Sequence, residues 1–143
     1  MTNRDRSDEL MTEARLIAED MQRNLGLARW NLAARRAQEV VELSCKGLLN
    51  EMGLEQVRTH DAAERLIGAL RERGLEPDDE FLKWFVSMSA RLAELRAPAF
   101  YHEIAVSGSE SEIAAEAASR ILEFAGKTLK TLRNSPPDAS QEL

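Results

Sequence analysis

The side chains of this chain that could transfer protons or hold anions are few and lie in two regions. His60 and His102 are the only histidines, and a histidine titrates near neutral pH, so it can give or take a proton. His60 is followed by Asp61, and His102 comes six residues after Arg96, whose guanidinium can bind an anionic group. Lys46 is a further cation, near the end of an apolar helical stripe. These residue types fit proton transfer or anion binding.

Two of these features also have purely structural explanations. Asp61 and Glu64 have the spacing of a capping box, so Asp61 is expected to cap a helix and His60 to pack or hydrogen-bond there. Lys46 follows Glu42 by four residues, the favourable order for an ion pair on a helix surface. Lys46 is therefore expected in solvent or at a dimer rim, with phosphate or partner contact as the alternative for both Lys46 and His60.

A basic cluster near the middle of the chain has the superficial pattern of a nucleic-acid patch. Arg29, Arg35 and Arg36 surround Trp30, but acidic residues follow on the same predicted helix. The two tryptophans and their neighbouring aromatic residues are expected in the core or at a dimer seam rather than as a platform for base stacking.

Several other chemistries do not fit the sequence. Neither histidine has a glutamate three residues before it, and a single cysteine, Cys45, cannot build a zinc site. There is no glycine-rich phosphate loop and no nucleophile elbow. We therefore expect neither a metal nor a cofactor. Because Cys45 has no partner for a disulfide, it favours a reducing compartment, the cytoplasm.

Composition indicates one helical domain. The chain has 143 residues, of which 43% are hydrophobic and 31% charged. A chain of this length can bury a core without disulfide bonds or metal sites. The first nine residues are polar, unlike a signal peptide, and no apolar segment is long enough to span a bilayer, so no membrane partner is expected. A net charge of -6 would confine any RNA contact to one patch.

Apolar periodicity predicts an all-α, antiparallel up-and-down bundle of about five helices. The first three helices are predicted from Asp8 to Leu25, from about Trp30 to Gly53, and from Thr59 to Gly74. The glycines at 53 and 74 are expected at the helix ends, where a left-handed cap falls.

The fourth and fifth helices complete the bundle. The fourth opens at residues 76–79 and is predicted to end before Pro98, which makes 96–108 a connecting loop. The fifth is expected to begin with a capping box of Ser109 and Glu112, and to bury a stripe that starts at Ile113. The bundle is predicted to occupy residues 1–133, and residues 134–143 are expected to form a disordered tail.

The order of these features resembles the HEPN family of small all-helical domains. The resemblance rests on the helix from Ala34 to Gly53 with Lys46, on Arg58-Thr59-His60-Asp61, on Arg96-Ala97-Pro98, and on the acid-capped helix that starts at Ser109. It covers residues 11–132, nearly the whole chain.

The resemblance implies both a quaternary structure and an activity. HEPN domains usually form homodimers and occur beside minimal nucleotidyltransferases, often as toxin and antitoxin, and many are metal-independent RNases. Their chemistry is assigned to an arginine followed four to six residues later by a histidine, with both subunits contributing to one cleft. Arg96 and His102 fit that spacing, with Arg96 binding the scissile phosphate and His102 transferring the proton, and Tyr101 is a candidate for phosphate or partner contact.

The same family offers a non-catalytic alternative. Ala97 and Ile104 stand where the strongest form of the motif has a polar residue after the arginine and a tyrosine after the histidine. Arg96-Ala97-Pro98 is similar to a version that serves structure in other members, in which case Arg96 caps the fourth helix and His102 is a loop residue. The alternative function is a non-enzymatic module that binds a nucleotide or a protein.

Overall fold

A computed structural model of the chain describes residues 1–54, 62–101 and 105–134, with the backbone alone for 96–101. These residues form five α-helices and no strand, which confirms the predicted all-α bundle. The helices are α1 (Asn3–Gly26), α2 (Trp30–Glu51), α3 (Ala62–Glu72), α4 (Asp79–Tyr101) and α5 (Gly108–Asn134). The predicted start of the third helix at 59–61 and the predicted tail lie outside the described residues, apart from Asn134, which ends α5.

The second helix is the centre of the bundle. Eleven of the 22 residues of α2 are buried, and within the described chain it is the helix that contacts all four others. The reason lies in its sequence, because apolar or small residues occupy more than one face of the helix. Phe85 of α4 and Ile121 of α5 belong to the same continuous core.

The first helix lies very close to α2. A Cβ atom added at Gly47 would be 2.9 Å from Sδ of Met11, which is itself buried. The Ser7 hydroxyl donates a hydrogen bond of 2.9 Å to the Gly47 carbonyl oxygen and is likewise buried. Glycine at position 47 is therefore what lets the backbones of the two helices approach.

Aromatic side chains join α4 to α5. Phe81 and Phe124 have ring centroids 4.7 Å apart, and Phe85 lies 5.9 Å from Phe124 by the same measure. The guanidinium of Arg120 lies 4.2 Å from the ring centroid of Trp84 and covers part of its half-buried surface. The cluster is part of the packing between the two helices.

The predicted end of the fourth helix is wrong. α4 continues through Pro98 to Tyr101, so the first six residues of the predicted loop are helical. A proline removes one backbone N–H donor and bends a helix, but it need not end one. Ala97 and Ala99 on either side have the highest helix propensity of any residue, which favours continuation.

The predicted start of the fifth helix is also shifted. The hydroxyl oxygen of Ser107 accepts a 3.1 Å hydrogen bond from the backbone N–H of Glu110, so Ser107 is the cap and not Ser109. Ser107 and Glu110 have the same spacing as the predicted pair, which explains the error. Ile113 is 38% exposed rather than buried, and Ala114 takes its place in the core.

The start of α1 also differs from the prediction, whereas the glycine caps agree with it. α1 begins at Asn3, five residues before the predicted start, because Thr2 and Asp5 form a capping box there. Gly53 and Gly74 have φ of 73° and 79°, the left-handed values expected after the second and third helices.

The helix ends opposite the α4–α5 connection are joined by Arg133. Its guanidinium donates to both carboxylate oxygens of Glu51 at 2.9 and 3.0 Å, and it lies 2.9 Å from Asp8. Hydrogen bonding to Glu51 raises the pKa of Arg133, against the opposing effect of burial. We call the contacts of Arg133 with Glu51 and Asp8 the Arg133 clamp, which ties α1, α2 and α5 together. The Arg133 and Glu51 side chains are only 18% and 12% exposed, so solvent screens their attraction little.

The close approach of α1 and α2 at Gly47 predicts that substitutions at two glycines have opposite effects on stability. Gly47→Val should lower the free energy of unfolding by about 1–3 kcal/mol, because added atoms would overlap Met11. Gly68→Ala in α3 should raise it by about 0.5–1 kcal/mol, since a Cβ there meets nothing within 4 Å and alanine favours helix. Urea denaturation of both variants tests this, and equal stability of the two would contradict the packing described.

The Arg133 clamp predicts that two basic residues of α5 differ in how much they contribute to stability. Arg133→Met should cost about 2 kcal/mol of stability, because it leaves the Glu51 carboxylate, which is only 12% exposed, without its partner. Lys127→Met, at a lysine that is 76% exposed and pairs with Glu123, should cost about 0.5 kcal/mol or less. Thermal and urea unfolding at pH 7 measure both, and a similar small loss in the two variants would show that the clamp contributes nothing.

Candidate functional site

The predicted catalytic pair lies at the C-terminal end of α4. Arg96 is five residues before the last residue of this helix, Tyr101, so its backbone is held by a long helix and not by a loop. His102 follows Tyr101 directly and lies outside the described residues, as does His60. What the fold establishes is the position of the Arg96 backbone, near the C-terminal end of α4.

The next described residues after the motif are fastened to the start of α2. The backbone N–H of Val106 donates a 2.9 Å hydrogen bond to Oδ1 of Asn31. The Val106 side chain is 4% exposed and packs on Ala34, which is 1% exposed. Residue 106 is thus held by a polar and an apolar contact with the same helix.

The first turn of α5 is fastened to the same place. The Ser111 hydroxyl donates to the Trp30 carbonyl oxygen at 2.9 Å, and a Cβ at Gly108 would lie 3.2 Å from the Trp30 ring. We call these contacts the α2–α5 clasp, formed by Trp30, Asn31, Ala34, Val106, Gly108 and Ser111. No local sequence pattern predicts the clasp, because its hydrogen-bonded partners are 75 and 81 residues apart in the chain.

Lys46 lies in a different and acidic environment. It lines a groove of about 260 Å³ between α1 and α2 whose other polar members are Glu13, Glu39 and Glu42. Glu39 is itself paired with Arg35 and Arg36. Glu13 and Glu42 still give the groove around Lys46 a negative potential, which disfavours phosphate binding there. These surroundings suit a lysine at the surface or at a dimer rim better than a lysine that binds phosphate.

The basic cluster on α2 is largely neutralised. Arg36 donates to Asp20 at 2.8 Å and to both carboxylate oxygens of Glu39 at 2.9 Å. Burial alone would lower the pKa of Arg36, but its hydrogen bonds with these two carboxylates raise it. Arg35 is 3.7 Å from the same Glu39. These two guanidinium groups are engaged within the protein and are poorly placed to serve as an RNA patch.

The single thiol is not a candidate nucleophile. Cys45 is 3% exposed in the core, and burial raises the pKa of its thiol to about 12, with Glu42 adding to the effect. The thiolate is the reactive form, so at neutral pH Cys45 is inert. Within the described residues, no group of three or more His, Cys, Asp or Glu side chains is arranged to hold a metal ion.

A second concave surface lies between α3 and α4 and was not predicted. The cleft has a volume of about 500 Å³, in the range of small-molecule sites. Its floor is apolar and its rim carries both signs of charge, with Ile67, Leu82 and Val86 below and Glu64, Arg71, Asp79 and Lys83 around them. Arg71 and Asp79 form an exposed ion pair of 3.8 Å at one end.

Comparison with known proteins identifies the domain. The profile of the HEPN domain matches residues 7–132, from the first buried serine of α1 to the last turns of α5. No curated protein and no solved structure gave a match. In the described part of the chain, no helix is long and apolar enough to cross a membrane. The profile spans most of the chain and all five helices, and the protein therefore belongs to the HEPN family.

Proposed function

We propose that this HEPN domain is a metal-independent endoribonuclease that acts as a homodimer in the cytoplasm. Arg96 binds the scissile phosphate and His102 transfers the proton. The observation that supports the proposal is the position of Arg96 in the last turns of α4, six residues before His102 in the chain. A helical backbone at Arg96 suits a site that must hold one phosphate in a fixed position.

The reaction needs a base and an acid but no metal. The RNA 2′-oxygen attacks the adjacent phosphorus, the bond from phosphorus to the 5′-oxygen breaks, and the products are a 2′,3′-cyclic phosphate and a free 5′-hydroxyl. One proton leaves the 2′-hydroxyl and one is given to the 5′-oxygen, so a neutral and a protonated imidazole together balance the reaction. The Arg96 guanidinium stabilises the charge that develops on the phosphate oxygens.

A dimer supplies both imidazoles from one motif. Each chain has a single copy of Arg96 and His102, and a two-fold axis through the cleft would bring two copies together. One His102 then serves as base and the other as acid. This is the physical reason for tying the proposed activity to the proposed homodimer.

The charge distribution supports a small RNA-binding area. The chain has a net charge of -6, and Arg35 and Arg36 are paired with carboxylates. An acidic body repels RNA over most of its surface, so binding would depend on a few cations in the cleft. Such a nuclease is readily silenced by a protein that covers one place, which suits a toxin whose antitoxin is a nucleotidyltransferase.

The proposal predicts RNA cleavage in the presence of chelator. Purified protein with single-stranded RNA and EDTA should yield 2′,3′-cyclic phosphate ends, detected by their resistance to 3′-end ligation until the cyclic phosphate has been opened and removed. His102→Ala should slow cleavage by roughly 100-fold or more, because proton transfer is lost. Arg96→Met should have an effect of about the same size, because the phosphate loses its cation.

Arg91→Met provides the matched control for Arg96→Met. Arg91 is exposed, lies on the same helix and is five residues earlier, so this variant should cleave within about twofold of the wild type. Full activity of His102→Ala would refute the assignment of the proton carrier. Activity that disappears with EDTA and returns with a divalent cation would refute the metal-independent mechanism.

Mixed dimers test the shared cleft. Dimers of one wild-type and one His102→Ala chain, isolated by two different affinity tags, should retain less than about a tenth of wild-type activity, because acid and base are both required. Two independent sites would instead leave about half of the activity. The measurement is the initial rate of RNA cleavage at equal dimer concentration.

The α3–α4 cleft favours a second candidate function, a non-enzymatic module that binds a nucleotide or a protein. Its apolar floor would take a base or an apolar side chain, and Lys83 at the rim would meet a phosphate or carboxylate, since Arg71 is paired with Asp79. A module of this kind would bind its ligand and leave RNA intact in the same cleavage assay. The two candidate functions therefore give different results with one preparation of protein.

A further inference from the structure

We propose that the cleft between α3 and α4 binds a small aliphatic carboxylate. The proposal rests on the second candidate function, the binding module, and narrows its ligand to one chemical class. It does not depend on the RNase activity, because none of the residues that line the cleft belongs to the arginine and histidine motif. All of the lining residues are in the described part of the chain.

The floor of the cleft is aliphatic. Ile67 and Leu82 are 7% and 5% exposed, and Val86 is half-buried beside them. The aromatic side chains at the start of α4 contact α5 instead, through Phe81, Trp84 and Phe85. Among the described residues, none that lines the cleft is aromatic, so a nucleotide base would have no ring to stack on. An aliphatic chain needs no such ring, because contact with apolar side chains is enough to remove it from water.

Lys83 supplies the charge that a carboxylate needs. It lines the cleft from α4, is exposed, and makes no ion pair or hydrogen bond with any described residue. Arg71, the other cation of the rim, pairs with Asp79 at 3.8 Å and marks one end of the cleft. A ligand on the floor would therefore meet one uncompensated ammonium group, which can donate charge-assisted hydrogen bonds to a carboxylate.

The position opposite Lys83 is empty of side chains. Counted from the Arg71–Asp79 pair, Gly68 is three residues along α3 and Lys83 is four residues along α4, about 4.5 and 6 Å at the rise of an α-helix. The two residues are thus at nearly the same level of the cleft. A Cβ atom added at Gly68 would meet nothing within 4 Å, so open space faces the ammonium group.

The unpaired carboxylate of the rim lies further along the cleft. Glu64 is seven residues before Arg71, about 10 Å along α3 and so nearly one turn beyond the level of Lys83. Ile67 is four residues before Arg71 and hence at the level of Lys83. The ammonium group is therefore beside the buried part of the floor, and the glutamate is beyond it. This placement favours an anionic head group over a cationic one.

Titration with sodium octanoate, below the concentration at which it forms micelles, tests the proposal. The backbone amide resonances of Gly68, Lys83 and Ser87 should shift and saturate. Octanamide, which has the same chain and no charge, should bind about fivefold more weakly, the size expected for an exposed ion pair. Acetate, which has no chain, and octyltrimethylammonium, which has the opposite charge, should give no saturating shift. AMP in the same titration tests a nucleotide as the occupant.

Two pairs of variants locate the site. Gly68→Leu fills the space opposite Lys83 and should weaken octanoate binding by at least about tenfold. Gly126→Leu is the same substitution in α5, where nothing lies within 4 Å of an added Cβ atom, and should leave binding unchanged. Lys83→Met should weaken binding by about fivefold, and Lys130→Met, at an exposed lysine of α5, should not change it.

Glu64→Gln tests the sign of the ligand's charge. Removal of a carboxylate near the head group should tighten octanoate binding by about twofold. Urea unfolding of each variant shows whether it is folded, and Gly68→Met replaces Gly68→Leu if the latter is not.

The results separate this proposal from the functions proposed above. No saturating shift with octanoate, or equal affinity for octanoate and octanamide, would overturn it. Shifts of the same amides by AMP alone would also overturn it and leave the nucleotide-binding module standing. Shifts that follow protein concentration and not octanoate would show that a second copy of the chain covers the cleft, again against the proposal. RNA cleavage, present or absent, has no effect on these outcomes.

Discussion

Half of the residues of α2 are buried, so this helix needs neighbours around most of its circumference. Burial of apolar surface is the main favourable term in folding. In the described chain, α2 contacts all four of the other helices. Such crowding is possible because small residues, above all Gly47 against Met11, reduce the distance between helices. Every other feature of the bundle is arranged around this central helix.

The two ends of α2 are fixed by different chemistry. At its C-terminal end, Glu51 accepts two charge-assisted hydrogen bonds from Arg133, which fastens α5 and α1 there. At its N-terminal end, Asn31 and the backbone of Trp30 bind the start of α5 through neutral hydrogen bonds. The contacts at the C-terminal end of α2 are charge-assisted and are therefore the stronger of the two sets.

Much of the fold could be predicted because it depends on local patterns. Apolar periodicity gave the five helices, and the left-handed glycines at 53 and 74 were expected from their places after apolar stripes. Local rules failed in two places. Ser107 and Ser109 each have a glutamate three residues later, so the sequence supports either serine as the cap of α5. At Pro98 the neighbouring residues favour helix strongly, and α4 continues through the proline. The Asn31 and Arg133 contacts join residues 75 and 82 positions apart, so no local pattern contains them.

Electrostatics narrows the places where an RNA phosphate could bind. A cation attracts phosphate only when its charge is not already compensated, because a neighbouring carboxylate cancels most of the field beyond a few ångströms. Arg36 and Arg133 are compensated by two carboxylates each, and Lys46 lies in a groove with three. The compensated cations lie on α2 and at the far end of α5, so neither of these two places favours a phosphate. The pairing that stabilises the bundle there also lowers the attraction of those cations for phosphate.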